Sequence, residues 1–208
     1  MIPIHVSLSH YKRGGIQEEI IANSKDREVV AKFNDNFAKR PDILKYPNDV
    51  LELAKQGATS FHASEELWKN PLQLEPSLRR LELDNLRIGW DLVLDIDCGF
   101  FDYSKIAADL VVKALKFHNV KSISCKFSGN KGFHIGVPFE AFPSKIKNEE
   151  TKKLFPDAPR KIALYIKEMI KRELGERIMD FEKNDFNVII EKTGKKSHEI
   201  IYYDNKTR

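Results

Sequence analysis

Two clusters in the middle of the chain have the residue types and spacing for chemistry. The first is Trp90-Asp91-Leu92-Val93-Leu94-Asp95-Ile96-Asp97-Cys98. From Leu92 to Ile96 it is an apolar run broken only by Asp95, which predicts a short buried strand. Asp95 and Asp97 are two apart, so on a strand their carboxylates point the same way. A carboxylate in an apolar strand is costly to bury unpaired, and two neighbouring ones repel. A divalent cation removes both penalties, and hard oxygen donors suit Mg²⁺ or Mn²⁺. The second cluster is Phe127-Ser128-Gly129-Asn130-Lys131-Gly132-Phe133-His134-Ile135-Gly136-Val137-Pro138, a turn between strands expected over 122–127 and 134–137. Gly129 and Gly132 let backbone approach a ligand closely, and glycine-rich turns of this kind form anion nests. The Ser128 hydroxyl, the Lys131 ammonium and the His134 imidazole beside such a nest suit a triphosphate. A carboxylate pair for metal and a triphosphate cradle are the two halves of a nucleotidyl-transfer site.

The elements between and around the clusters must put them together. Asp102 or Ser104 can cap a helix running to about Asn119, with Ile106, Leu110, Ala114 and Phe117 at helical spacing. A strand, a helix of this length and another strand predict a crossover on one sheet, carrying both clusters. Upstream, the patterns predict a helix over 16–23, a strand over 27–33 and a basic loop over 37–41 that contains Lys39 and Arg40. A helix over 49–55 with Asn48 as its cap follows, then a strand over 59–63 whose His62 shares a side with Ser60. A charged helix over 75–83 completes this half; Arg79, Arg80 and Arg87 could track phosphate there. Downstream, residues 145–156 are charged and Pro-punctuated, with 148–153 read as a mobile surface insert. A helix over 160–174 ends at Gly175, and strands over 187–191 and 199–203 form a hairpin around Gly194. The fold expected is α/β, a mixed central sheet with flanking helices. It is read as a single domain over 1–208, with 1–89 as its N-terminal part, 90–143 as the motif-bearing sheet and 144–208 as a helix plus C-terminal strands.

Composition narrows the class. A chain of 208 residues, 41% hydrophobic and 32% charged, can bury a core under a well-solvated surface. A net charge of +4 and a pI near 8.9 permit a nucleic-acid partner without requiring one. Cys98 and Cys125 are the only cysteines, which excludes a disulfide framework and a cysteine-rich zinc site. No apolar run reaches transmembrane length and no signal peptide is visible, so the expectation is a cytoplasmic protein with no membrane partner.

In order, spacing and flanking strands, the hydrophobic-Asp-x-Asp strand followed by Ser-Gly-x-Lys-Gly-x-His resembles the catalytic core of the archaeo-eukaryotic primase superfamily. Within it, the likeness is to archaeal DNA primase small (catalytic) subunits. The resemblance implies a primase-like core that makes or extends primers on a single-stranded DNA template from nucleoside triphosphates, using Mg²⁺ or Mn²⁺. It implies Asp95 and Asp97 as catalytic metal ligands, and Ser128 and His134 as the nucleotide-binding pair. Lys131 falls at a position that is usually Arg or Lys, with Gly129 and Gly132 beside it. Arg40 belongs to an N-terminal basic cluster that lies over nucleotide or template in the family. A large primase subunit is the implied partner.

The pattern also departs from the family. The third carboxylate, with its His-Leu-x-Arg run, is missing, which leaves Asp185, ahead of an expected strand, as the candidate third catalytic carboxylate. Otherwise the chain is a fragment or one half of a split subunit. Gly136 stands where better-known relatives carry a Trp. Two other functions stand beside the first. One is a catalytically silent module that binds nucleotide or DNA. The other is an aspartate-nucleophile phosphatase, whose motif Leu94-Asp95-Ile96-Asp97-Cys98-Gly99 echoes. That fold begins with its motif, whereas here the motif follows a long N-terminal part, no later Gly-Asp-x-x-x-Asp cluster exists, and the glycine turn has no role.

Overall fold

A computed structural model describes residues 3–129, 131–183 and 185–193. The chain forms two compact units, one built from Met1–Asp91 and Pro143–Phe155, the other from Leu92–Phe142 and Pro156–Arg208. The first boundary thus falls beside the start of the Asp95 strand, while 143–155 returns to the first unit.

The first unit opens with helices α1 (Ile4–Tyr11) and α2 (Gly14–Ser24), strands β1 (Val29–Phe33) and β2 (Asn36–Phe37), helix α3 (Pro47–Lys55) and strand β3 (Ser60–Ala63). The strands make an antiparallel sheet in the order β2-β1-β3. Alternation along β1 sends Val29 into a core with Leu44 and Val50, closed by Tyr11, Ile20, Ile21, Leu53 and Phe61. The start of α3 is held by Asp49, not by Asn48: its carboxylate accepts the N–H groups of Lys45 and Tyr46, both at 2.9 Å.

Strand β4 (Glu66–Trp68), helix α4 (Arg80–Leu86) and strand β5 (Arg87–Trp90) complete this half, with β4 and β5 antiparallel. The charged helix therefore starts later than its sequence suggests, and Arg87 does not track phosphate. It is 3% exposed, pairs with Glu66 at 2.7 Å and with Asp84, and lies 5.3 Å from the ring centroids of both Trp68 and Phe155. A guanidinium buried between two rings needs both carboxylates to offset its lost hydration.

The returning segment is not a mobile insert. It makes a two-stranded turn, Lys145–Ile146 against Glu149–Glu150, then a 3₁₀ turn Thr151–Leu154. Thr151 is fully buried: its carbonyl accepts from the Trp90 indole N–H at 2.9 Å, and its hydroxyl donates to the Pro143 carbonyl. Charge density hid one small buried residue and one anchoring ring, Phe155, 6.4 Å from Trp90.

The second unit has β6 (Leu92–Ile96), α5 (Phe101–Phe117), β7 (Ser124–Phe127), β8 (Phe133–Val137), α6 (Asp157–Phe181) and α7 (Phe186–Thr193). The sheet order is β6-β8-β7, and each neighbouring pair is antiparallel. The crossover places both clusters on one sheet, as expected. The sheet is nevertheless small and antiparallel between neighbours, not a mixed central sheet, because β8 inserts between the two strands that α5 connects. Helix α5 buries Leu110, Val111, Ala114 and Leu115, and packs along α6.

Two further expectations fail here for local reasons. Helix α6 runs through Gly175 to Phe181. A glycine in a helix costs about 1 kcal/mol, and the turns around it are tied by Glu173–Arg177 at 2.6 Å and Arg177–Asp109 at 2.8 Å. Residues 187–191 are helical, not a strand. Asp185 accepts the N–H groups of Asn187 at 3.0 Å and Val188 at 3.4 Å, and Ile189 is 3% exposed. Lys192 reaches back to Glu182 at 2.5 Å, and the Tyr103 hydroxyl donates to the same carboxylate at 2.8 Å. These partners hold Glu182 below the usual carboxylate range, and burial, with the Glu182 bond, pushes the Tyr103 phenol up. The expected strand over 199–203 and its turn at Gly194 lie outside the described residues. Among the described residues no helix is long and apolar enough to cross a membrane.

The Thr151 anchor has a direct test. Thr151→Val keeps shape but removes a hydroxyl that is fully buried and leaves the Pro143 carbonyl without its donor. Urea unfolding is expected to show a loss of about 1–3 kcal/mol; a change under ~0.5 kcal/mol would make 143–155 the loose insert its charge suggests.

Candidate functional site

Strand β6 alternates cleanly: Leu92 and Leu94 are buried, while Val93, Asp95 and then Asp97 are exposed. Neither carboxylate is buried: Asp95 is presented on the open side of the sheet, and Asp97 is exposed just past the end of β6. Register does the rest. Asp95 is directly opposite His134 on β8, and His134 is directly opposite Lys126 on β7. Directly paired residues share a face, so carboxylate, imidazole and ammonium form one row across three strands. His134 Nε2 lies 3.5 Å from Asp95 Oδ1, with the side chains 36% and 66% exposed. They form an ion pair whenever the imidazole is protonated.

The adjoining row on the same face is Val93, Gly136 and Ser124. It is low at its centre because Gly136 has no side chain, and a Cβ there would meet the Ser124 hydroxyl at 2.7 Å. A low shelf at Gly136, bounded by Val93 and Ser124, thus lies beside the charged row.

The turn between β7 and β8 closes one end. The Ser128 N–H donates to the Gly132 carbonyl at 2.9 Å, and the Gly132 N–H donates to the Ser128 hydroxyl oxygen at 3.2 Å. Gly129 has φ +96°, a conformation that favours glycine. Gly132 is needed for a different reason: a Cβ there would sit 2.2 Å from the Ile96 carbonyl oxygen. The turn is pressed directly against the end of the strand that carries Asp95. Two groups expected to face a ligand are engaged inside the turn. The Gly132 amide donates to the Ser128 hydroxyl oxygen, which leaves Ser128 its own hydrogen and one lone pair. Lys131 is exposed at the turn.

Two other expected site residues have local partners of their own. Asp185 caps α7, so it stands ahead of a helix and not of the strand on which its role as third carboxylate was premised. Arg40, in the first unit, is held by Glu28 through two bonds, at 2.7 and 2.6 Å. That carboxylate holds the guanidinium further above its usual range. Among the described residues no group of three or more His, Cys, Asp or Glu side chains could hold a metal ion. Lys126 is not among the residues expected from the sequence, although the signal is there: it lies within the strand expected over 122–127, two residues before Ser128.

No family model matches the chain. An uncharacterized protein of Methanocaldococcus jannaschii, MJECS07, is 31% identical over 124 residues, which is 58% of this chain and 26% of that protein. The chain spans about a quarter of that relative's length.

Two glycines separate crowding from backbone freedom. Gly132→Ala is expected to cost about 1–3 kcal/mol, because backbone must move to admit the methyl group. Gly175→Ala meets open space in α6 and is expected to stabilise by up to ~1 kcal/mol. Denaturant titration of both variants checks this; a neutral Gly132→Ala would show that the turn does not depend on its contact with Ile96.

Proposed function

We propose that the open face of β6, β8 and β7 is a nucleotidyl-transfer site of the archaeo-eukaryotic primase type, making or extending a primer on single-stranded DNA from nucleoside triphosphates. The observation that carries the reading is the row Asp95–His134–Lys126, set in register beside a low shelf and closed by the Ser128–Gly132 turn. Asp95 and Asp97 would hold Mg²⁺ or Mn²⁺. Two exposed carboxylates fit that ion, which is usually kept by one or two carboxylates together with waters and substrate phosphates. When bound, the ion activates the primer 3′-hydroxyl and neutralises charge on the leaving pyrophosphate. The chain's own groups do the positioning. Lys126 and Lys131 supply cations for the triphosphate oxygens, and Ser128 donates its hydroxyl hydrogen. His134, next to Asp95, donates to a phosphate oxygen while its protonated form offsets the carboxylate charge. A large primase subunit fits this reading as a partner.

A second reading has its own observation. With Asp185 engaged at a helix cap, the described residues offer two carboxylates at the site and no third. That favours a module that binds nucleotide and DNA without efficient transfer.

Primer extension with Mn²⁺, run beside triphosphate binding, decides between them. The parent is expected to extend a primed template. Asp95→Asn and Asp97→Asn should each abolish extension while remaining folded, and relief of repulsion leaves their stability unchanged or higher. Lys126→Gln should weaken triphosphate binding by about tenfold, the worth of one charge-assisted hydrogen bond. Triphosphate binding without extension supports the binding module, and no binding to the parent overturns both readings.

A further inference from the structure

We propose that Phe37, with Lys32 and Lys39, forms a stacking platform for single-stranded nucleic acid on the first unit. The inference rests on that unit's residues alone and not on the nucleotidyl-transfer reading. Phe37 lies on the β1–β2 hairpin, whose two-residue turn has Asn34 in the left-handed region at φ 55°. Lys32 is its direct cross-strand partner, with the ammonium 5.3 Å from the ring centroid. The His62 ring meets it edge-on at 5.2 Å, and His62 is in turn fixed by the Ser60 hydroxyl at 2.9 Å from Nε2. The phenyl ring is therefore positioned from two sides, yet it remains 54% exposed.

A held, open aromatic ring beside a cation is the arrangement that stacks a nucleobase and pairs its phosphate. Charge agrees with this occupant. From Lys32 to Arg40 the hairpin and the loop that follows it carry three cations, Lys32, Lys39 and Arg40, against one carboxylate, Asp35. Arg40 is bound to Glu28, so Lys32 and Lys39 carry the attraction for a polyanion. A single ring flanked by cations matches a base and its backbone better than the broad apolar core of a protein interface.

The test is fluorescence anisotropy of a labelled oligothymidylate with the full chain, at two salt concentrations. The parent should bind, more weakly at higher salt. Phe37→Ala should weaken binding by about fivefold or more, the low end for one stacked base, while Phe37→Trp retains it. Lys32→Gln with Lys39→Gln should lower the salt slope by about one to two. Triphosphate binding by Phe37→Ala should match the parent. The proposal is overturned if the parent does not bind the oligonucleotide, if Phe37→Ala binds within twofold of it, or if Phe37→Trp is as weak as Phe37→Ala. Equal loss of oligonucleotide and triphosphate binding would make the ring structural and also overturn it.

Discussion

A side chain at position 132 has nowhere to go: its first carbon would overlap the Ile96 carbonyl oxygen at 2.2 Å. That close approach fixes the glycine turn against the end of β6, and it sets which residues of β8 face which residues of β6. Once Phe133 is opposite Ile96, His134 must be opposite Asp95, and Lys126 follows on β7. A slip of one residue would turn the imidazole to the helix side and bring Phe133 or Ile135 out. The chemistry of the open face is thus a consequence of register, and register rests on a backbone contact that only glycine permits.

Charges that look alike in the sequence have separate fates. In the first unit, Arg87 is buried between two rings and two carboxylates, Arg27 is paired with Asp91 at 2.5 Å, and Arg40 with Glu28. These cations are engaged in holding strands and loops together. Glu66 shows the cost of such burial: lost hydration pushes its carboxyl up, against the pull of Arg87. Lys126 differs, since it stands on a solvated face and makes no ion pair among the described residues. Exposure, more than residue type, separates the cations that build this protein from those open to a ligand.

Much of the site was legible because period-two alternation and the strand–helix–strand order are local properties. Leu92 to Ile96, Phe101 to Phe117 and the two strands around the turn follow directly from them. What was hidden depends on partners distant in sequence or on single side chains. Asp185 turned an apparent β-branched strand into a helix by capping two N–H groups. Gly175 failed to stop α6 because ion pairs span it, one of them to α5. Thr151 anchored a segment whose composition suggested solvent, through bonds to Trp90 and Pro143. Lys126 follows from the same alternation as Asp95, whereas Lys131 is the cation that the glycine motif itself contains.

The central claim is that Asp95 and Asp97 present a divalent-cation site that a triphosphate completes. Water-proton relaxation during Mn²⁺ titration tests it most directly, on the parent and on Asp95→Asn and Asp97→Asn, with and without a nucleoside triphosphate. The account predicts weak Mn²⁺ binding by the parent, tightened by triphosphate beyond the nucleotide's own affinity for the ion, and lost in both variants. Mn²⁺ binding that is absent from the parent, or unchanged when either aspartate is replaced, would contradict it.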